Sequence, residues 1–320
     1  MAIFLSEADI KALVTINDAI DAVSNVFTVA GEGGVINPPR QQIDIPQGYL
    51  RLTSAIVSPL EKIAVKVSSS MVFASDSGRL LLLIDSATGR ADALIEVFYL
   101  GQLRTAAASG VATRLMARAD ASTVGVFGSG RQARTQLEAM KAVRPITSAL
   151  AFSPNRERQQ RFCSEMTATL GIPVTPAASP EELHACDILI TATTSRTPVV
   201  AGGLVRPGTH INAIGANRPE RQEIDEETIR RCAAVAVDNK AQAKKESSVL
   251  VKSVEGGIIG WEDVVELGDL LAEGMAGGRK DEAITLYNSH GVAMEDVALA
   301  KKAYELALAK GIGVSIPLTP

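Results

Sequence analysis

Two groups of residues in this chain could do chemistry. The first is Val124-Gly125-Val126-Phe127-Gly128-Ser129-Gly130-Arg131-Gln132-Ala133, an apolar strand running into a G-x-G-x-x-A turn and then a helix. This is the usual way to hold a dinucleotide pyrophosphate. Gly128 permits the tight turn, Gly130 lets backbone approach phosphate, and Ala133 is small enough for the helix to pack on the sheet. The phosphates then sit at a helix N-terminus, where N–H groups and the positive dipole end favour anions, with Ser129, Arg131 and Gln132 completing the turn. The second group is cationic: Arg40 after two prolines, Lys66 between Val65 and Val67, and Arg104 followed by Thr105. Period-two alternation puts Lys66 and its flanking valines on opposite sides of a sheet. Taken singly, Lys66 reads as a solvated outer face, Arg104 as a helix-start charge and Arg40 as a loop charge.

The surrounding pattern divides the chain into two kinds of structure. Ser6 to Val29 reads as two short helices, with Ser6 and Asn17 as N-caps. From Gln41 to Val97 short β-type runs follow: Tyr49–Thr53, Ile63–Val67 and Leu80–Ile84. Turn signals at Asp76-Ser77-Gly78 and Ala87-Thr88-Gly89 punctuate this stretch, so the natural reading is an antiparallel sheet. Thr105 to Ala117 then reads as an Ala-rich helix. From Thr123 onward strands alternate with helices: Thr123–Phe127, Ala149–Ser153, Asp187–Thr193, His210–Ile214 and Ala233–Asp238 are strand-like. This alternation predicts a doubly wound parallel sheet. Ala293 to Lys310 is the last helix.

Composition narrows the class. A length of 320 residues suggests two domains, and 46% hydrophobic with 21% charged residues is ordinary for a soluble globular protein. The net charge of −4, without a basic run, argues against nucleic acid as a partner. Cys163, Cys186 and Cys232 are odd in number and far apart, which fits reduced thiols in a cytoplasmic protein rather than a disulfide framework. The N-terminus has no basic n-region and no apolar run is long enough to span a bilayer, so neither export nor a membrane is expected. His184, His210 and His290 are isolated, so no metal site is expected, and the G-x-S-x-G elbow of a serine hydrolase is absent.

Six segments, in order, carry a resemblance to the ornithine cyclodeaminase/mu-crystallin family. They are Pro38-Pro39-Arg40, Ala64-Val65-Lys66, Leu103-Arg104-Thr105-Ala106-Ala107, the Gly128-to-Ala133 turn, Ile211 through Pro219, and Ser289-His290-Gly291-Val292-Ala293-Met294-Glu295-Asp296. The resemblance covers nearly the whole length. It implies a Rossmann-type α/β fold: a dinucleotide-binding domain over residues 118–290, and a discontinuous α+β substrate and dimerisation domain over 1–117, completed by 291–320. It also implies a homodimer. Arg40, Lys66 and Arg104 match positions that hold a substrate α-carboxylate in the family, which reverses their bland readings. Three cations on one anion suit a small carboxylated substrate, Arg as a fork and Lys as a movable charge. Their mutual repulsion would depress the Lys66 pKa and make it a candidate proton relay.

The cofactor expected is NADPH, with NADH as the alternative. The strand after the glycine turn ends at Ser153, where an NAD enzyme would carry an acid. Ser153, Asn155 and Arg156 could instead bond a 2′-phosphate; the alternative is that Arg156 and Arg158 decorate a solvated helical turn. Thr191, Ala192 and Thr193, and then Ile214 and Gly215, end strands that flank the nucleotide in the family, and Thr105 joins this cofactor-binding set. β-propensity alone accounts equally well for the hydroxyls. Asn217 departs from the cyclodeaminases, which carry there an aspartate that grips the distal amine. A carboxamide cannot act as a base, and the ketimine reductases of the family also have a neutral residue followed by Arg-Pro, as in Arg218-Pro219. The resemblance thus implies reduction of a small α-imino acid, with pyrroline-2-carboxylate or piperideine-2-carboxylate foremost and an acyclic imine open. Cyclodeaminase activity, an alanine dehydrogenase-like activity (those enzymes also carry the aspartate that Asn217 replaces) and a mu-crystallin-like NADPH- or ligand-binding role are the alternatives. His290 lies in a loop that approaches the nicotinamide in the family, and is a candidate for touching substrate or donating a proton.

Overall fold

Ser6 and Thr15 each stand three residues ahead of an aspartate, and both pairs fold as reciprocal caps. Ser6 Oγ accepts the Asp9 N–H and Asp9 accepts the Ser6 N–H, opening α1 (Glu7–Leu13); Thr15 and Asp18 do the same for α2 (Ile16–Gly31). The cap of α2 is therefore Thr15, and the expected Asn17 cap is corrected. Only Thr15 has an acid at the third helical position, which completes the box.

The structure, a computed structural model, describes residues 2–71, 78–275 and 279–317. The turn expected at Asp76-Ser77 lies outside them. The chain forms two compact units: one runs to Arg104 and resumes at Val292, and the other is Thr105–Gly291. The first joint thus falls earlier than residue 117, inside helix α3 (Phe98–Met116). From Thr105 on, α3 belongs with the second unit, where Thr113 Oγ1 accepts a hydrogen bond from Asn212 Nδ2 at 2.9 Å.

In the first unit β1 (Ala2–Leu5), β2 (Val35–Ile36), β3 (Gln41–Ile45), β4 (Gly48–Val57), β5 (Lys62–Met71), β6 (Arg79–Asp85), β7 (Ala91–Glu96) and β16 (Val314–Ile316) form one sheet. Its order is β16-β1-β7-β6-β5-β4-β2, with β3 also on β4. Pairing is antiparallel except between β1 and β7. Helix α10 (Ala293–Lys310) packs on α2 and lies across β4 and β5. On the covered face Ala55, Val57, Ala64, Leu81, Leu83, Ala93 and Ile95 are buried. The opposite face exposes Val67, Leu80 and Leu82.

The second unit contains β8 (Thr123–Phe127), β9 (Ser148–Phe152), β10 (Val174–Pro176), β11 (Ile188–Thr191), β12 (His210–Ala213), β13 (Cys232–Val237), β14 (Val264–Glu266) and β15 (Ile284–Asn288). Every pair is parallel, in the order β10-β9-β8-β11-β12-β15-β13-β14. The strand order reverses between β8 and β11, and such a switch point opens a crevice at the carboxyl ends of the strands. Helices α4 (Arg131–Val143), α5 (Arg156–Leu170), α6 (Glu226–Arg231), α7 (Lys240–Glu246), α8 (Ser248–Glu255) and α9 (Leu267–Glu273) connect the strands. This is the doubly wound α/β fold that the alternation predicts. Among the described residues no single helix is long and apolar enough to cross a membrane.

Candidate active site

Lys66 sits mid-strand in β5, opposite Thr53 on β4 and Leu81 on β6. It shares the helix-covered face with Leu81, so the solvated-face reading is overturned and the valines point outward instead. Its ammonium meets a carboxylate oxygen of Asp296 in the first turn of α10. Arg104, in α3, reaches the same turn: Nη1 donates to Glu295 Oε2 at 2.6 Å and Nε lies 3.4 Å from Asp296 Oδ1. Both acids are buried, Glu295 at 0% and Asp296 at 1% exposure, so they belong to the inside of the site and not to its rim. Asn37 Oδ1 accepts the Met294 N–H at 2.9 Å, tying the start of α10 to the Pro38-Pro39-Arg40 loop.

Lys66 is held down at about 8. Burial is the largest cause; Asp296 opposes it, and repulsion from Arg104 and Arg40 adds to it. The expected repulsion is present, then, but desolvation outweighs it. Arg40, Lys66 and Arg104 thus act on one another within the first unit. Lys66 and Arg104 meet the carboxylates of Asp296 and Glu295 directly, and Arg40 acts on Lys66 through its charge. Glu295 and Asp296 were not singled out in the sequence, because acids in a first helical turn already suit the helix dipole.

The second unit supplies the dinucleotide turn. Gly128 follows β8 with φ +108°, and a Cβ there would stand 2.5 Å from the Ala192 carbonyl oxygen, so both conformation and space require glycine. Gly130 is the N-cap of α4 and offers no side chain to the first-turn N–H groups, while its own Cβ position is open. Arg134 locks the turn by donating to the Ser129 and Gly130 carbonyls at 2.9 and 3.0 Å. Arg131 and Gln132 open the helix, and Ala133 is fully buried as expected. The Thr105 carbonyl accepts from Gln136 of α4 at 3.2 Å. Beyond β9, Ser153 and Arg156 line a cavity of about 360 Å³ with Phe152, Pro154 and Gln159. Asn155 Oδ1 accepts the Arg158 N–H as the cap of α5, so that oxygen is committed to the helix. An uncapped helix start, a glycine turn and a cavity without an acid fit a dinucleotide.

The ends of the next strands are braced by buried acids. Glu223 accepts from Thr191 Oγ1 and from the N–H groups of Thr193, Gly215 and Ala216, which follow β11 and β12. The Ile214 N–H donates to the Thr191 carbonyl at 3.0 Å, and Asn217, half-buried, comes next in the loop. Asp238, after β13, accepts the N–H groups of His290 and Gly291 at 2.5 and 2.6 Å and the Ser289 hydroxyl at 3.2 Å. His290 is 3% exposed, a side chain of the interior. A single acid in a loop carries no spacing signal, so neither brace is legible in the sequence.

A family model described as the ornithine cyclodeaminase/mu-crystallin family matches residues 1–311. The chain belongs to that family. Alanine dehydrogenase of Archaeoglobus fulgidus is 35% identical over 98% of both chains. Delta(1)-pyrroline-2-carboxylate reductase of Bacillus cereus is 31% identical over 98% of both. The solved structure of Thermococcus litoralis Delta(1)-pyrroline-2-carboxylate reductase, in complex with NADH and L-proline, superposes with a TM-score of 0.93 at 36% identity, covering 98% of this chain and 100% of that one. The matched residues 1–311 include the second unit entirely and nearly all of the first.

Proposed function

We propose that this chain is a nicotinamide-dependent oxidoreductase that reduces the C=N bond of a small α-imino acid to the L-amino acid. The observation that carries this reading is the convergence of Lys66 and Arg104 on the buried Glu295–Asp296 pair, with the charge of Arg40 also felt at Lys66. Such a cluster grips one carboxylate. The cofactor, when bound, supplies the hydride. Arg40 and Arg104 orient the substrate carboxylate, which positions the imine carbon for reaction. Lys66 Nζ, at about 8, can give a proton to the imine nitrogen while holding the carboxylate. Asn217, a carboxamide, cannot remove a proton from a distal amine, which favours reduction over cyclodeamination.

Cyclic five- and six-membered imines are the substrates we favour. The 35% identity to an alanine dehydrogenase supports an acyclic imine as the second reading. NADPH is preferred over NADH in this proposal, because Ser153 and Arg156 line the cavity after β9 where a carboxylate would repel a 2′-phosphate. The exposed apolar face of the first unit's sheet supports a homodimer. Cys163, Cys186 and Cys232 are free thiols, and burial pushes Cys186 up to about 11 and Cys232 to about 12. Unreactive thiols of this kind suit the cytoplasmic location we assign.

The test follows the absorbance of NADPH and NADH with pyrroline-2-carboxylate, piperideine-2-carboxylate, or pyruvate plus ammonia, beside an assay for ammonia from ornithine. Rapid oxidation with a cyclic imine, and none of the other two, is the expected result. Ammonia and proline from ornithine would overturn the reading and the argument from Asn217.

A further inference from the structure

Glu223 is a buried acid for which the proposed chemistry has no use. It lies between β12 and α6 and is 1% exposed. Its carboxylate accepts from Thr191 Oγ1 at 2.9 Å, Thr193 N–H at 2.6 Å, Gly215 N–H at 2.7 Å and Ala216 N–H at 3.1 Å. None of these donors is charged. The residue is anchored from behind as well, since its own carbonyl accepts the Val199 and Val200 N–H groups at 2.8 and 3.1 Å. Burial pushes the Glu223 pKa up against the pull of Thr193, Thr191 and Gly215.

Joining β11 to β12 does not need such a group, because the Ile214 N–H already reaches the Thr191 carbonyl at 3.0 Å. The carboxylate acts one step later, where the chain leaves the ladder. There it fixes the peptide planes before Thr193, Gly215 and Ala216, three donors that would otherwise turn toward solvent or ligand. Gly215 fits the same device: a Cβ there would stand 2.5 Å from Glu223 Oε1. Ala216 leads directly into Asn217, so the brace also fixes the peptide from which that residue extends.

We propose that Glu223 is a positioning residue that holds the loops after β11 and β12 in the shape that receives the nicotinamide half of the cofactor and orients Asn217. The proposal rests on the dinucleotide reading above. It separates two halves of one site: the glycine turn serves the phosphates, and the Glu223 brace serves the reacting ring.

The test compares each reduced cofactor with its nicotinamide-free counterpart, NADPH against 2′-phospho-ADP-ribose and NADH against ADP-ribose, by titration calorimetry on the wild type, Glu223→Gln and Thr191→Val. A glutamine keeps the size but replaces one acceptor by a donor that opposes an N–H. In E223Q the reduced cofactor should lose about tenfold in affinity, the scale of one charge-assisted hydrogen bond, while the nicotinamide-free ligand binds as before. T191V, which removes one donor and keeps the carboxylate, should show the same selective loss to a smaller degree, and it decides the matter if E223Q does not fold. With a C4-deuterated cofactor, the isotope effect on imine turnover should rise in both variants. Equal weakening of both ligands, or no weakening of either, would overturn the proposal. A wild type that binds reduced cofactor but turns over no imine would remove the functional reading alone, leaving the binding comparison to stand.

Discussion

Burial holds Lys66 down, so its charge changes at about 8. Below that pH it is an ammonium and completes the carboxylate grip; above it the amine is neutral and one positive charge is lost. kcat/KM for the imine should therefore fall as pH rises through about 8, and Lys66→Arg should flatten that limb because arginine stays charged. A rise above pH 8 instead would show that the neutral amine is the active form. Lys66→Met should raise KM about 10- to 100-fold, the worth of a hydrogen bond to a charged group; retention of full kcat would remove its role as proton donor. Asp296 raises the Lys66 pKa by its charge and hydrogen bond. In Asp296→Asn the descending limb should accordingly move to lower pH, measured on the same imine; an unmoved limb would mean that Asp296 does not set the charge of Lys66. Arg40, Lys66 and Arg104 were legible through the segments they sit in. Glu295 and Asp296 sit in such a segment as well, but that they, Glu223 and Asp238 are buried braces was not legible, because what distinguishes a buried brace from a surface acid is its surroundings, which sequence spacing does not encode.

The elements were legible where a local signal defines them and not where a distant residue does. The first strand of the second unit, the turn after it and helix α10 fall where pattern places them. Helix α3 begins earlier than Thr105 because the Glu7 carboxylate, 91 and 92 residues earlier in the chain, accepts the N–H groups of Phe98 and Tyr99, the latter at 2.7 Å. That remote cap seats the helix bearing Arg104, and no neighbouring residue announces it. Ile284–Asn288 is wholly buried between β12 and β13, yet as a five-residue run it lacks the alternation that identifies a strand. Gly128 permits a quantitative test of the turn. Gly128→Ala would place a Cβ 2.5 Å from the Ala192 carbonyl oxygen at φ +108°. A cost of about 1–3 kcal/mol is expected from that strain, read as a lower melting temperature and weaker cofactor binding by titration. A variant that binds and melts as the wild type would show that the turn relaxes freely.

Across the whole molecule, the sheet of the first unit is arranged in reverse of an ordinary surface sheet. Its helix-covered face carries Lys66, while the face away from α10 exposes Val67 at 41%, Leu80 at 41% and Leu82 at 36%. Alternation in the sequence establishes that Lys66 and the valines oppose one another, but period two is blind to which side is inside. The inversion makes physical sense if the inner face binds an anion and the outer face is covered by another copy of the chain. Cross-strand register makes the outer face continuous, pairing Val65 with Leu82 and Val67 with Leu80. A twofold axis would lay this patch on its own image, the self-complementary contact of a closed dimer. Leu82→Asp places a charge at the centre of the patch without touching the covered face. Light scattering should find the wild type at twice the mass of the chain and the variant at the mass of one copy. Far-UV circular dichroism should be unchanged, since the residue is exposed within the single chain. A variant that keeps the dimer mass would assign the contact to another surface and leave the apolar face unexplained.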